Sequence, residues 1–207
     1  MVIAIDGPAG AGKSTVARAV AERLGFTYLD TGAMYRCVGL AAAESGEPAG
    51  EVAERIEIIL GDRVLLDGRD VTEAIRTAEA SEAASRVAAD PAVREALVRK
   101  QREIVATGDW VAEGRDIGTV VAPDAAVKVF LHADPSERAR RRAAELGVPV
   151  EDVLAQQRER DERDNTAGRS TLEPAPDAIP VDTTGLTIDE VVDQVVTLAI
   201  EAKEIGA

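Results

Sequence analysis

The chain opens on a short apolar run, Val2-Ile-Ala-Ile-Asp6, that stops at Gly7. Unbroken apolar character over so few residues predicts a buried parallel strand. The period then changes. Val16, Ala17, Val20, Ala21 and Leu24 recur at helical spacing and predict a helix over 13–24 that ends at Gly25. Two more helices are expected over 32–45 and 49–60, separated by the break at Gly46–Pro48. Residues 63–71 carry an Asp67-Gly68 turn signal between two short strand-like pieces. Helices over 73–89 and 91–107 follow, with Pro91 at the first position of the second. Strands are expected at 109–114, 125–133 and 177–184, and helices at 134–146, 150–163 and 187–203. Strands that alternate with helices predict an α/β fold, a parallel sheet with helices on both faces. The segment expected to move is 147–176, which is charged, broken by Gly147, Pro149, Gly168, Pro174 and Pro176, and without a long apolar face.

Composition narrows the function classes. A length of 207 residues suits one larger domain with small appended lobes. Aromatic residues are only 2% of the chain, so the core must be built from Ala, Val, Leu and Ile. No apolar run approaches the roughly 18 residues that span a bilayer, and the N-terminus lacks the basic and apolar regions of a signal peptide. The single cysteine, Cys37, allows no internal disulfide and no cysteine metal cluster. A cytoplasmic protein away from membranes is expected. The net charge of −14 repels nucleic acid polymers, but a pocket with a few placed arginines can still take a small phosphorylated substrate.

Gly7-Pro-Ala-Gly-Ala-Gly12-Lys13-Ser14 matches the phosphate-loop pattern G-x-x-x-x-G-K-S/T without a mismatch, between an apolar strand and an amphipathic helix. Small residues let backbone N–H groups close around a phosphate, and the helix N-terminus adds partial positive charge. Gly7, Pro8, Ala9, Gly10, Ala11, Gly12, Lys13, Ser14 and Thr15 are the expected ATP cradle. Lys13 reaches the β- and γ-phosphates, and the Ser14 hydroxyl is the expected Mg²⁺ ligand. A guanine-reading Asn-Lys-x-Asp segment is missing, and the strand at 109–113 ends in Glu113 rather than in adjacent carboxylates. Small-molecule kinases are therefore favoured over switches and motors.

The arginines point to the acceptor. Leu29-Asp-Thr-Gly-Ala-Met-Tyr-Arg36 follows a short strand and opens a helix, and Gly114-Arg115-Asp116-Ile-Gly-Thr119 follows the 109–113 strand. Strand ends of a parallel sheet collect at one edge beside the phosphate loop, so Arg36 and Arg115 are expected to converge there. A guanidinium fork suits a phosphate. Asp6 and Glu113 either hold Mg²⁺ waters or satisfy loop backbone, and His132 and Cys37 are expected to be structural.

These residues carry a resemblance. IDGPAGAGKST, LDTGAMYR, VTEAIRT, ASRVAADPAVREALVRKQR, GRDIGTVVAPDAAVKVFL, ERDERD and PDAIPVDTTGLTIDEV run nearly end to end, and together they resemble bacterial cytidylate kinase, the CMP kinase of the nucleoside monophosphate kinase group. The resemblance implies a P-loop NTPase three-layer fold with a five-stranded parallel core. The core would be 1–30, 108–146 and 173–207, with an NMP-binding lobe over about 31–107 and a small lid over about 147–172. It implies transfer of phosphate from ATP, with Mg²⁺, to CMP or dCMP by a monomer. Lys13, Arg115 and Arg160 would be catalytic. Thr31, Tyr35 and Arg36 would line the acceptor site, with Arg36 and Arg115 on the CMP phosphate. Ser85, Arg94 and Asp116 would read cytosine, whose N4 amino donor and N3/O2 acceptors call for a carboxylate and a donor. Arg160 and Asp164 would face ribose and phosphate from the lid.

The chain departs from the family pattern at Ala167, where an arginine is usual three residues after the Asp of the ERDERD run. The nearest arginine is Arg169, and Ser170-Thr-Leu172 replaces Ser-Pro-Leu. Two other classes stay open on the residues alone: a kinase of another small acceptor, such as shikimate or dephospho-coenzyme A, and a non-catalytic nucleotide sensor. A phosphate oxygen is anionic at neutral pH, so phosphorylating it needs no general base.

Overall fold

The computed structural model describes residues 1–164 and 173–205. Five strands form the central parallel sheet: β1 (Val2–Asp6), β2 (Thr27–Asp30), β6 (Trp110–Gly114), β7 (Val127–His132) and β8 (Ile179–Asp182), in the order β2-β6-β1-β7-β8. A small antiparallel sheet holds β3 (Ile58–Leu60), β4 (Val64–Leu66) and β5 (Arg69–Asp70). The helices are α1 (Lys13–Leu24), α2 (Thr31–Ser45), α3 (Ala49–Arg55), α4 (Ala78–Val87), α5 (Pro91–Val105), α6 (Pro135–Leu146), α7 (Val150–Asp164) and α8 (Ile188–Ile205). The expected α/β fold with a five-stranded parallel core is present.

Contact density divides the chain into two compact units, Met1–Tyr28 with Gly108–Ala207, and Leu29–Thr107. The first is built on β1. Parallel register sets Ile3 beside Val111 and Val127, and Ile5 beside Val129. Their side chains point to one face, where Val16, Ala17, Val20 and Ala21 of α1 and Val191, Val192 and Val195 of α8 bury them. This is the Val/Ile/Ala core that a chain poor in aromatics requires. The other face carries Ala4, Asp6, Ala112 and Lys128, all buried, and beside them lies a five-residue π-type turn, Ile117–Val121. Strand order reverses on either side of β1, so a crevice opens at its C-terminal end. Within the same unit α6 and α7 pair through Ala139, Ala143 and Val153, a small apolar core in a stretch whose sequence offers no long apolar face.

The second unit corrects two expected boundaries. The helix expected over 49–60 stops at Arg55, because Ile56 turns extended at φ −68°, ψ 142°. Ile58, Ile59 and Leu60 pair instead with Leu66, Leu65 and Val64. β-Branched residues with a partner strand at hand favour the ladder over helix. The Asp67-Gly68 turn has φ of 49° and 79°, the left-handed pair that a two-residue hairpin demands. The helix expected from residue 73 begins at Ala78, because Thr77 is extended and its hydroxyl accepts from the Ala80 N–H. Ala74–Arg76 form a separate 3₁₀ turn that buries Ile75.

Candidate active site

The phosphate loop leaves the end of β1. Gly7, Gly10 and Gly12 have φ of 148°, 77° and 88°. A Cβ at Gly7 would lie 2.0 Å from the Leu131 carbonyl oxygen, so only glycine passes there. No side chain caps α1, and its first turn carries no acidic residue. A helix start of this kind suits an anionic ligand. Ser14 and Thr15 are exposed there. Lys13 is half-buried, and its Nζ donates to the Pro8 carbonyl at 2.9 Å.

Three arginines of the same unit brace this loop. Arg115 Nη1 donates to the Gly7 carbonyl at 2.5 Å. Arg138, only 5% exposed, donates from Nη1 to the Ala9 carbonyl at 2.9 Å. Arg141 donates to the Thr183 hydroxyl at 2.9 Å and to the Thr183 carbonyl at 2.6 Å, and Glu137 accepts from its Nε. The Thr183 hydroxyl in turn donates to the Ala11 carbonyl at 3.4 Å. Arg138 and Arg141 were not expected from sequence. The available signal was the run Glu137-Arg-Ala-Arg-Arg-Arg142, where a three-residue step sets two arginines on one helix face. Gln157 of α7 is also buried, and its amide lies 2.9 Å from where a Gly10 Cβ would be.

Asp6 and Glu113 satisfy protein groups. Asp6 accepts from the Ile117 and Gly118 N–H groups at 2.8 Å each, and Glu113 accepts from the Tyr28 hydroxyl. Asp116, buried, sits between β6 and the π-type turn, and its carbonyl accepts from the Val120 and Val121 N–H groups. Burial pushes the Asp6 carboxyl up to about 6, the neighbouring Asp116 charge adds to the rise, and Lys13 and the two backbone donors oppose it.

In the other unit the Asp-Thr-Gly-Ala-Met-Tyr-Arg motif opens α2. Asp30 Oδ1 accepts from the Ala33 N–H, and Oδ2 accepts from Arg36 Nη2, each at 2.8 Å. A Cβ at Gly32 would lie 3.0 Å from Arg36 Nη1, so the glycine lets Arg36 fold back over the helix start. Thr31 is buried and Tyr35 half-buried on the same helix. Ser85 lies on α4, buried rather than on a helix surface, and its hydroxyl has no hydrogen-bond partner among the described residues. Arg94 is half-buried in the second turn of α5, whose N-terminus Asp90 caps. Cys37 is a buried core residue of α2 whose thiol burial pushes up to about 11, and so is inert. Arg36 belongs to the Leu29–Thr107 unit and Arg115 to the other. The backbone of Arg160 and Asp164 is in the last turns of α7, and Ala167 and Arg169 lie outside the described residues.

Among the described residues no three His, Cys, Asp or Glu side chains form a metal cluster. The Ser14 and Thr15 hydroxyls are both exposed at the N-terminus of α1, and a hydroxyl oxygen is the hard kind of ligand that Mg²⁺ takes. No helix among the described residues is long and apolar enough to cross a membrane.

Comparison with known proteins adds the rest. The chain is 20% identical to a gluconokinase from Sinorhizobium meliloti, with a TM-score of 0.56 and coverage of 99% of this chain and 94% of that one. A shikimate kinase from Acinetobacter baumannii, 16% identical, gives a TM-score of 0.52 over 98% and 94% of the two chains. Both likenesses concern the fold. At the sequence level the chain is 53% identical to a cytidylate kinase of Carboxydothermus hydrogenoformans, over 93% of this chain and 94% of that protein. It is 48% identical to a cytidylate kinase of Solibacter usitatus, over 96% and 91%. The cytidylate kinase family model matches residues 3–201, and with two relatives near half identity over most of their length, the chain belongs to the cytidylate kinase family.

Proposed function

We propose that this enzyme transfers the γ-phosphoryl group of ATP to CMP, and to dCMP, giving ADP and CDP or dCDP. The observation that carries the reading is the family match over residues 3–201 on a chain whose phosphate loop is complete. The acceptor's own phosphate oxygen attacks the γ-phosphorus, so catalysis is positioning and charge neutralisation. Lys13 exchanges its bond to Pro8 for the β- and γ-phosphates. Ser14 would hold Mg²⁺, which would neutralise charge on the phosphates when bound with the nucleotide. Arg115 and Arg160 supply further positive charge.

On the Leu29–Thr107 unit, Thr31, Tyr35 and Arg36 bind the nucleotide, and the CMP phosphate takes Arg36 from its partner Asp30. Ser85, Arg94 and Asp116 read the cytosine. Support for Ser85 is its buried hydroxyl, which a base edge would satisfy; leaving such a group unpaired costs about 1–3 kcal/mol. Arg160 and Asp164 act on ribose and phosphate. The enzyme works as a cytoplasmic monomer, without nucleic acid or membrane partners.

The test is ADP release with a panel of acceptors: CMP, dCMP, UMP, AMP, shikimate and dephospho-coenzyme A. The expected result is turnover with CMP and dCMP far above the rest. ADP release that no acceptor accelerates, or that shikimate accelerates best, would overturn the reading.

A further inference from the structure

The π-type turn at Ile117–Val121 follows directly on Arg115 and Asp116 and is held by a buried carboxylate that has no part in the proposed reaction. Asp6 ends β1 on the face opposite α1 and α8, level with Gly114 in the parallel ladder. Its Oδ1 takes the Ile117 N–H and its Oδ2 the Gly118 N–H, both at 2.8 Å, and it is 7% exposed. The first N–H groups of a helical turn have no acceptor within it, and here one carboxylate serves two of them. The turn is closed behind by the Val120 and Val121 N–H groups on the Asp116 carbonyl and by the Ala122 N–H on the Ile117 carbonyl. Arg115 and Asp116 are thus strung between a strand in register and a turn clamped at its first two amides. Gly118 permits the clamp: a Cβ there would lie 3.2 Å from a Lys128 methylene carbon and 3.4 Å from Asp6 Oδ2.

We infer that Asp6 is a positioning residue for acceptor binding, which fixes Arg115 and Asp116 through the Ile117 and Gly118 amides. The inference rests on the reading that Arg115 and Asp116 contact the acceptor nucleotide. It assigns Asp6 to the acceptor side rather than to ATP and Mg²⁺, because each of its oxygens accepts an amide of the turn that follows Arg115 and Asp116.

The clamp needs the ionised carboxylate, because protonation converts one of its two acceptor oxygens into a hydroxyl. The charges that face it are Asp116 from the turn, Lys13 from α1 and Lys128 from β7. The Lys128 ammonium is engaged by Asp177 at 2.8 and 2.9 Å. With the Asp6 carboxyl raised to about 6, clamping fails as pH falls through that value, just below neutrality.

The experiment compares wild type with Asp6→Asn and Gly118→Ala, measuring KM for CMP, KM for ATP, Mg²⁺ dependence and kcat/KM for CMP between pH 5 and 8. Nucleotide phosphates also titrate near pH 6, so the ratio of wild type to Asp6→Asn is the quantity followed, in which substrate ionisation cancels. The expected result is a KM for CMP raised about tenfold or more by Asp6→Asn at pH 7.5, with KM for ATP and the Mg²⁺ requirement within twofold. The kcat/KM ratio should shrink toward one by pH 5. Gly118→Ala shifts the same turn without touching the charge, and should raise KM for CMP while sparing ATP. It keeps the inference testable if Asp6→Asn does not fold. Equal losses for ATP and CMP, a raised Mg²⁺ requirement, or a pH-independent ratio would overturn it. Arg115→Ala separates the two readings. If it leaves KM for CMP unchanged, the acceptor assignment fails. If it raises KM for CMP while Asp6→Asn does not, only the clamp fails.

Discussion

Lys13 rests on its own loop, its ammonium on the Pro8 carbonyl, and must leave that oxygen to reach a phosphate. In the proposed reaction the charge that Lys13 neutralises grows as the phosphoryl group moves, so its contribution would fall mainly on the transition state. Lys13→Ala is expected to cut kcat about 10³-fold while the urea midpoint stays near wild type; a rate within tenfold would mean that ATP binds elsewhere. Asp6 gives a second residue-scale expectation, in stability. A carboxyl raised from 3.8 to about 6 stabilises the folded state when protonated. That stabilisation is complete below about pH 4 and is lost as pH rises through 6. Between pH 5 and 7.5 wild type should lose about 1–2 kcal/mol relative to Asp6→Asn in urea unfolding. An unchanged difference would show that the group ionises normally. Activity and stability then move in opposite directions with pH at one side chain, which a merely structural carboxylate would not do. From sequence, Asp6 could be narrowed only to Mg²⁺ waters or loop backbone, because the amides it serves are 111 and 112 residues away.

At the scale of elements, the legible parts were those whose signal is local. Gly25 in the left-handed conformation ends α1, Pro91 opens α5, and Asp67-Gly68 makes the hairpin, each by its own backbone preference. The misread parts needed a distant partner. Ile58–Leu60 became a strand because Val64–Leu66 was there to pair with it, and α4 started late because Ile75 had a core to enter. The braces behind the phosphate loop belong to this second kind. Arg138 looked like one more charge on a polar helix, but folding carries it across 129 residues to the Ala9 carbonyl. The helix pair α6–α7 is thereby tied to the phosphate loop. Arg138→Met keeps the aliphatic stem and removes the donor. It is expected to raise KM for ATP about tenfold, in line with a charged hydrogen bond of about 1.5–3 kcal/mol, with KM for CMP little changed. Initial-rate kinetics with each nucleotide varied would check this, and an effect confined to CMP would contradict it.

On the scale of the whole molecule, the strand order β2-β6-β1-β7-β8 brings the phosphate loop and the Arg115–Asp116 turn to the C-terminal edge of adjacent strands. Chemistry far apart in sequence becomes adjacent through parallel register, which is why alternating strands and helices sufficed to expect the core. DTGAMYR and GRDIGT could be placed at the ends of β2 and β6 from sequence, where residues can reach a ligand. The burial of Ser85 could not be foreseen, since a serine in an alanine-rich helix gives no sign of it. The proposed reaction has a cytosine nucleotide as acceptor, its base read by Asp116. On that proposal uracil would offer an O4 acceptor in place of cytosine's N4 donor and an N3–H in place of its acceptor, so contacts to Asp116 and to Arg94 would each become unfavourable. The most direct measurement is kcat/KM for CMP and UMP on wild type and on Asp116→Asn, whose amide can donate to O4. The expected result is a CMP preference of about 10²-fold or more in wild type that narrows in the variant. Equal use of UMP and CMP by wild type, or a ratio that Asp116→Asn leaves unchanged, would contradict it.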